Sequence, residues 1–175
     1  MRPLPQKDYP NDLIAMRSTF KKILKGKVIV LGVGNIMRGD DGFGPALIEN
    51  LSRPSGRAES TRKFIFIDAG SAPENYLGKI IKEKPDTVLI VDAVHLNLSP
   101  GKYELLKKAE IANCGLTTHD ISPGLFIDFL EKETDADIYF LGLQPKNITL
   151  GDDMSVEVKK SVIELSGLIK GVTNA

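Results

Sequence analysis

A single cysteine, Cys114, stands in 175 residues, so the chain can close no internal disulfide and build no multi-thiolate metal centre. No histidine neighbours it in an activating motif, and it reads as a buried, inert thiol rather than a nucleophile. Charge of either sign is not in excess: 23 Lys and Arg balance 23 Asp and Glu. Bulk electrostatics therefore points to neither nucleic acid nor an anionic membrane surface, though a local charged cleft remains compatible with neutrality. No apolar run approaches the ~18 residues of a membrane span, which argues against insertion. Met1–Pro10 is polar and proline-broken, without the apolar core of an export signal, so the expected location is cytoplasmic. Familiar hydrolase machinery is missing too: there is no His-Glu-x-x-His, no Gly-x-Ser-x-Gly elbow and no Ser-x-x-Lys. The Gly32-Val33-Gly34 turn has Met37 where a dinucleotide fingerprint needs its third glycine, and the P-loop Gly-Lys-Ser/Thr is absent. A Rossmann-like nucleotide enzyme, which would bind a dinucleotide or ATP, is accordingly a weak reading.

What is there suits one domain with a real core. Lys27–Gly34, Lys63–Ile67, Asp86–Val91 and Asp137–Leu143 are apolar runs suited to strands, and Lys102–Leu106 suits the edge of a sheet, where lysines are tolerated. Between them, helical spacing covers Gly42–Leu51, the stretch from Pro73 to Lys84, Ser122–Glu131 and Ser155–Ile169. A further helix, capped by Asn11 or Asp12, carries Leu13, Met16, Phe20, Ile23 and Leu24 ahead of the first strand. The division expected is an N-terminal extension, 1–26, and a single α/β domain, 27–175. The alternation of strand and helix predicts a three-layer α/β/α sandwich around a mostly parallel sheet.

In such sheets ligands bind beyond the C-terminal strand ends. The first strand empties into a loop holding Asn35, Asp40 and Asp41; the second ends at Asp68 and the third at Asp92. His119 precedes the helix that starts at Ser122, and His95 is expected simply to be exposed. Each acid also has a plain structural role open to it. Asp40 and Asp41 could cap the following helix, and Asp68 and Asp92 could accept backbone N–H groups in tight turns. Together, two carboxylates and one imidazole make an O/O/N set suited to a borderline divalent ion such as Zn²⁺ or Ni²⁺. Residue chemistry alone thus reaches a metal-binding α/β protein with an acidic crevice.

The ordered motifs are more specific. Gly32-Val-Gly-Asn-Ile-Met-Arg-Gly-Asp-Asp-Gly-Phe-Gly-Pro45, Ile67-Asp-Ala-Gly-Ser-Ala-Pro-Glu-Asn75, Ile90-Val-Asp-Ala93, Thr117-Thr-His119 and Phe140-Leu-Gly-Leu-Gln-Pro145 occur in that order. The series resembles the hydrogenase maturation endopeptidases, in particular the branch serving hydrogenase-3-type enzymes, and covers the chain from about Lys27 onward. The resemblance implies a five-stranded twisted sheet between helices. It also implies a metal-assisted endopeptidase that removes the C-terminal extension of a [NiFe]-hydrogenase large-subunit precursor. By position, the catalytic metal-binding cluster falls on Asp41, Asp92 and His119, with Asp68 and Asn35 in substrate recognition. The resemblance further implies that the metal is nickel carried by the substrate, and other divalent ions can occupy such a site in isolation. The expected partner is the precursor, met by a monomer. A nickel-dependent inspection factor that binds the precursor without cutting it would use the same residues.

Overall fold

The computed structural model describes residues 13–53, 64–106, 108–111 and 122–173. The Asn11 and Asp12 caps, Cys114 and the Thr117–Asp120 loop with His119 lie outside these residues.

Five strands form one sheet in the order β2-β1-β3-β5-β4. They are β1 (Val28–Val33), β2 (Phe64–Gly70), β3 (Thr87–Ala93), β4 (Tyr103–Leu106) and β5 (Asp137–Leu143). Pairing is parallel throughout except for β4, which runs antiparallel to β5 at the edge. The helices are α1 (Leu13–Ile23), α2 (Phe43–Ser52), α3 (Leu77–Glu83), α4 (Lys108–Ile111), α5 (Pro123–Glu133) and α6 (Val156–Thr173). The expected α/β architecture is what forms.

Burial explains the strand sequences. β1 is buried at every position, as is β3 up to Asp92, because helices cover both faces. Side chains alternate across the sheet, so Val28, Val30, Leu89, Val91, Tyr139 and Leu141 pack with α1, α2 and α6. Ile29, Leu31, Val88, Ile90, Ile138 and Phe140 pack on the other side, with α3 and α5. Two strands run further than their apolar stretches indicate. β2 continues through Asp68 to Gly70, and β3 through Asp92 to Ala93, so both acids sit within strands rather than in the turns that follow. Pro73 opens a short 3-10 turn, Pro73–Tyr76, and α3 proper starts only at Leu77.

Helix α1 contributes to the central core. Met16, Phe20 and Ile23 are buried in the layer that also holds Val162, Leu165 and Ile169 of α6. Its exit is pinned to the sheet by Thr87, whose hydroxyl donates to the Lys25 carbonyl at 3.0 Å. Phe20 is wholly buried, and replacing it by alanine leaves a cavity that cannot fully close. The Phe20→Ala variant should lose about 3–5 kcal/mol of stability, read from its urea midpoint. An unchanged midpoint would show that α1 unfolds independently of the sheet.

Candidate active site at the sheet switch point

From β1 the chain crosses to β2 on one side of the sheet, then returns past β1 to place β3 on the other. The boundary between β1 and β3 is thus a topological switch point, where the connections diverge and leave a crevice. Both candidate carboxylates named for the central cluster flank it. Asp92 is 1% exposed and follows Val91, which pairs with Gly32 of β1. Asp41 is 2% exposed and sits in the turn Gly39–Gly42 that leads from β1 into α2 and contacts β3.

Glycine makes this approach possible. At Gly34 the backbone has φ +142°, and a β-carbon there would lie 1.9 Å from the Asp41 carbonyl oxygen. The loop can therefore fold back until the Asn35 N–H donates to both the Asp41 carbonyl and Asp41 Oδ2, each at 3.1 Å. Gly44 similarly lets the start of α2 rest on β1 and β3, since a β-carbon would meet Val33 O at 2.2 Å and Val91 O at 2.8 Å.

Asp40 departs from its expected capping role. No side chain caps α2, whose N-cap position is Gly42. Asp40, fully buried, instead accepts four hydrogen bonds from the far end of the chain. Its Oδ2 takes the N–H of Lys146 (2.7 Å), the N–H of Asn147 (3.1 Å) and the Ser155 hydroxyl (2.9 Å). Its Oδ1 takes the Ser155 N–H at 2.7 Å. Backbone bonds reinforce the clamp, from Asp40 N to Asn147 O, Gly39 N to Asp152 O and Gly151 N to Met37 O. The β5–α6 loop is thus fixed against the loop that carries Asp41. Behind it Lys146 and Glu157 pair at 2.8 Å, and that hydrogen bond lifts the lysine above its ordinary range and holds the carboxyl below its own. Both groups are open to solvent, so the pair adds little.

The remaining candidates fall around this centre. Asp68 is the exposed residue of the edge strand β2, on the same face as Phe64 and Phe66, and its Oδ1 accepts the Gly70 N–H at 3.0 Å. It borders an open groove of about 290 Å³ between α2 and the β5–α6 loop. Asn35 turns its side chain back on its own loop, where Oδ1 accepts the Met37 N–H at 2.9 Å. Asp92 lines a small cavity, about 10 Å³, with Pro123 and Phe126 of α5. His119 is outside the described residues, although Pro123 stands only four positions further along the chain. His95 is exposed, as expected. Gln144, which the motif contained without an assigned role, is a buried brace. Its Oε1 accepts the Leu96 N–H at 2.7 Å and so shapes the loop after β3.

Buried acids at the switch point of a parallel sheet mark an α/β protein that works from its C-terminal loops, with an acidic crevice in place of a glycine-rich phosphate cradle. Residues 45–171 match the family model described as HycI, hydrogenase maturation protease. Over 136 residues the chain is 38% identical to the hydrogenase 3 maturation protease of Escherichia coli K12, covering 77% of this chain and 83% of that protein. Its fold matches the crystal structure of the [NiFe] hydrogenase maturation protease HycI from Thermococcus kodakarensis KOD1 with a TM-score of 0.77 and 27% identity, over 89% of this chain and 99% of that one. The solution structure of the Escherichia coli endopeptidase HycI matches with a TM-score of 0.72 and 34% identity, over 83% of this chain and 90% of that one. The chain belongs to the hydrogenase maturation protease family.

The Asp40 clamp is open to direct test. Asp40→Ala takes the acceptor from three part-buried N–H groups and should cost about 2–3 kcal/mol. Amide exchange at Lys146, Asn147 and Ser155 should accelerate together. Asp40→Asn can keep the donors on one oxygen and lose only the Ser155 N–H, so it should fall between the two. Unchanged exchange in the alanine variant would mean the two loops are held by other contacts.

Proposed function

We propose that this protease removes the C-terminal tail of a [NiFe]-hydrogenase large-subunit precursor once nickel is in place, acting as a cytoplasmic monomer. Asp41, Asp92 and His119 reach the nickel borne by the substrate and so hold the scissile peptide in the crevice. One observation carries the reading: two buried carboxylates flank the β1/β3 switch point in a chain of this family. Its likeness to a hydrogenase 3 maturation protease and a [NiFe] hydrogenase maturation protease supports the substrate class. Support for including His119 is its sequence distance from Pro123, which shares a cavity with Asp92.

The chemistry is consistent with those groups. Nickel(II) accepts carboxylate and imidazole ligands, and a precursor held through its metal gains both proximity and a checkpoint, because an unloaded precursor lacks the anchor. Water is the nucleophile, since no serine or cysteine sits in an activating motif. It adds to the scissile carbonyl; the C–N bond then breaks, leaving a new carboxylate on the large subunit and a protonated amine on the released tail. A nickel borne by the substrate and held by these residues would supply a Lewis acid able to polarise the carbonyl or lower the pKa of the water, besides anchoring the precursor.

Mass spectrometry of nickel-loaded and nickel-free precursor after incubation tests the proposal. Only the loaded form should lose a C-terminal peptide, and Asp41→Ala, Asp92→Ala and His119→Ala should each slow that loss roughly 100-fold or more while remaining folded. Wild-type processing by all three variants would sink the residue assignment. A stable complex in which neither form is cut would favour inspection over cleavage.

A further inference from the structure

The rim beside the switch point exposes three large apolar side chains on backbone that is tightly fixed. Ile36 is 70% exposed, Met37 61% and Leu150 65%. They are neighbours through the bond from Gly151 N to Met37 O, on loops immobilised by the Asp40 clamp. Apolar groups held out in water on a preformed surface are a feature of interaction sites. Ile36 also lines the 290 Å³ groove, whose floor includes Pro45, Ala46 and Met154. That volume lies near the lower limit of roughly 300 Å³ for ligand pockets, which suits a short extended segment and not a folded partner.

Charge selects the occupant. Glu49, Asp68, Asp152 and Asp153 all border the groove, and among the described residues no lysine or arginine lines it. Glu49 is met by Arg53 at 2.6 Å, an exposed pair that neutralises one carboxylate only weakly. Asp152 accepts from the Asn147 side-chain amide, and Asp68 from Gly70 N–H, which leaves their negative charge in place. The groove is continuous with the site, because Gly42, the residue after Asp41, forms part of its wall.

We propose that this groove seats the precursor's tail itself, as an extended cationic segment whose basic side chains face Asp68, Asp152 and Asp153 while its apolar ones rest on Ile36, Met37 and Leu150. The assignment rests on the substrate proposed above and adds a second anchor, independent of nickel, that reads the portion to be discarded. An anchor on the tail also fixes the direction in which the peptide crosses the crevice.

Fluorescence anisotropy of the full chain with two labelled ten-residue peptides, one alternating Leu with Lys and the other Leu with Glu, isolates this anchor from metal. The lysine peptide should bind at least tenfold more tightly, a preference that shrinks as salt rises. The double variant Asp152→Lys/Asp153→Lys changes exposed side chains and should abolish or invert the preference, with Asp152→Asn/Asp153→Asn intermediate. In the cleavage assay the lysine variant should raise KM for a basic-tailed precursor by a similar factor, and a charge-reversed tail should restore it. Equal affinity for the two peptides, or a preference untouched by the lysine variant, overturns the proposal. If the preference holds while no precursor is cut, the groove stands and the substrate assignment fails. If the precursor is cut without any preference, only the groove proposal fails.

Discussion

The carboxylate of Asp40 holds together two loops that are more than a hundred residues apart in sequence, and the geometry of the crevice follows from it. Burying a carboxylate is costly unless its lone pairs are met. Here four donors converge, three of them backbone N–H groups that would otherwise be left without acceptors as the loop crosses the sheet edge. The arrangement solves two desolvation problems at once. It also leaves Asp41, next in sequence, on a backbone that cannot drift from β3, because Gly34 and Gly44 allow that backbone to press directly on the sheet. Pre-organisation of this kind suits the role proposed above, in which the site presents ligands to a metal borne by the precursor, since little of the binding energy would go into ordering the site.

The sheet was legible in the sequence because its signal is local and strong. β1, β3 and β5 are continuous apolar runs, and a strand buried on both faces has no room for anything else. The edge strand β4 could be recognised by the turn residues Ser99-Pro100-Gly101 and Lys102 just ahead of it. Strand ends were less visible: Asp68 and Asp92 look like residues of a following turn, yet the parallel ladder carries on past them, Asp92 opposite Gly142 of β5. Composition signals where apolar side chains stop, while the ladder ends where the backbone loses its partner.

The site was legible only in part. Adjacency of strand ends brings Asp41 and Asp92 to one edge, and topology can predict that much. Asp40 is the instructive failure. An acid just before a helix has a nearby capping role available, and nothing local indicates that its oxygens will be claimed by residues 146, 147 and 155. Gln144 is similar: its side chain serves a loop almost fifty residues earlier, and the motif containing it records the need for glutamine without the reason. Long-range polar partners are set by tertiary closure, which periodicity does not encode.

That closure has a bearing on how the protein comes into being. The first helix described, α1, finds its packing partner in α6, at the other end of the chain, and the Asp40 clamp likewise waits for residues that follow β5. During synthesis the central strands emerge with neither α6 nor the crevice wall formed by residues 146–155 available to them. The loop bearing Asp41 becomes rigid only once residues 146–155 have been made. A chain interrupted before Ser155 would therefore lack a defined crevice, so a protease that works on other proteins' tails gains its own crevice geometry from residues made long after the acids that line it.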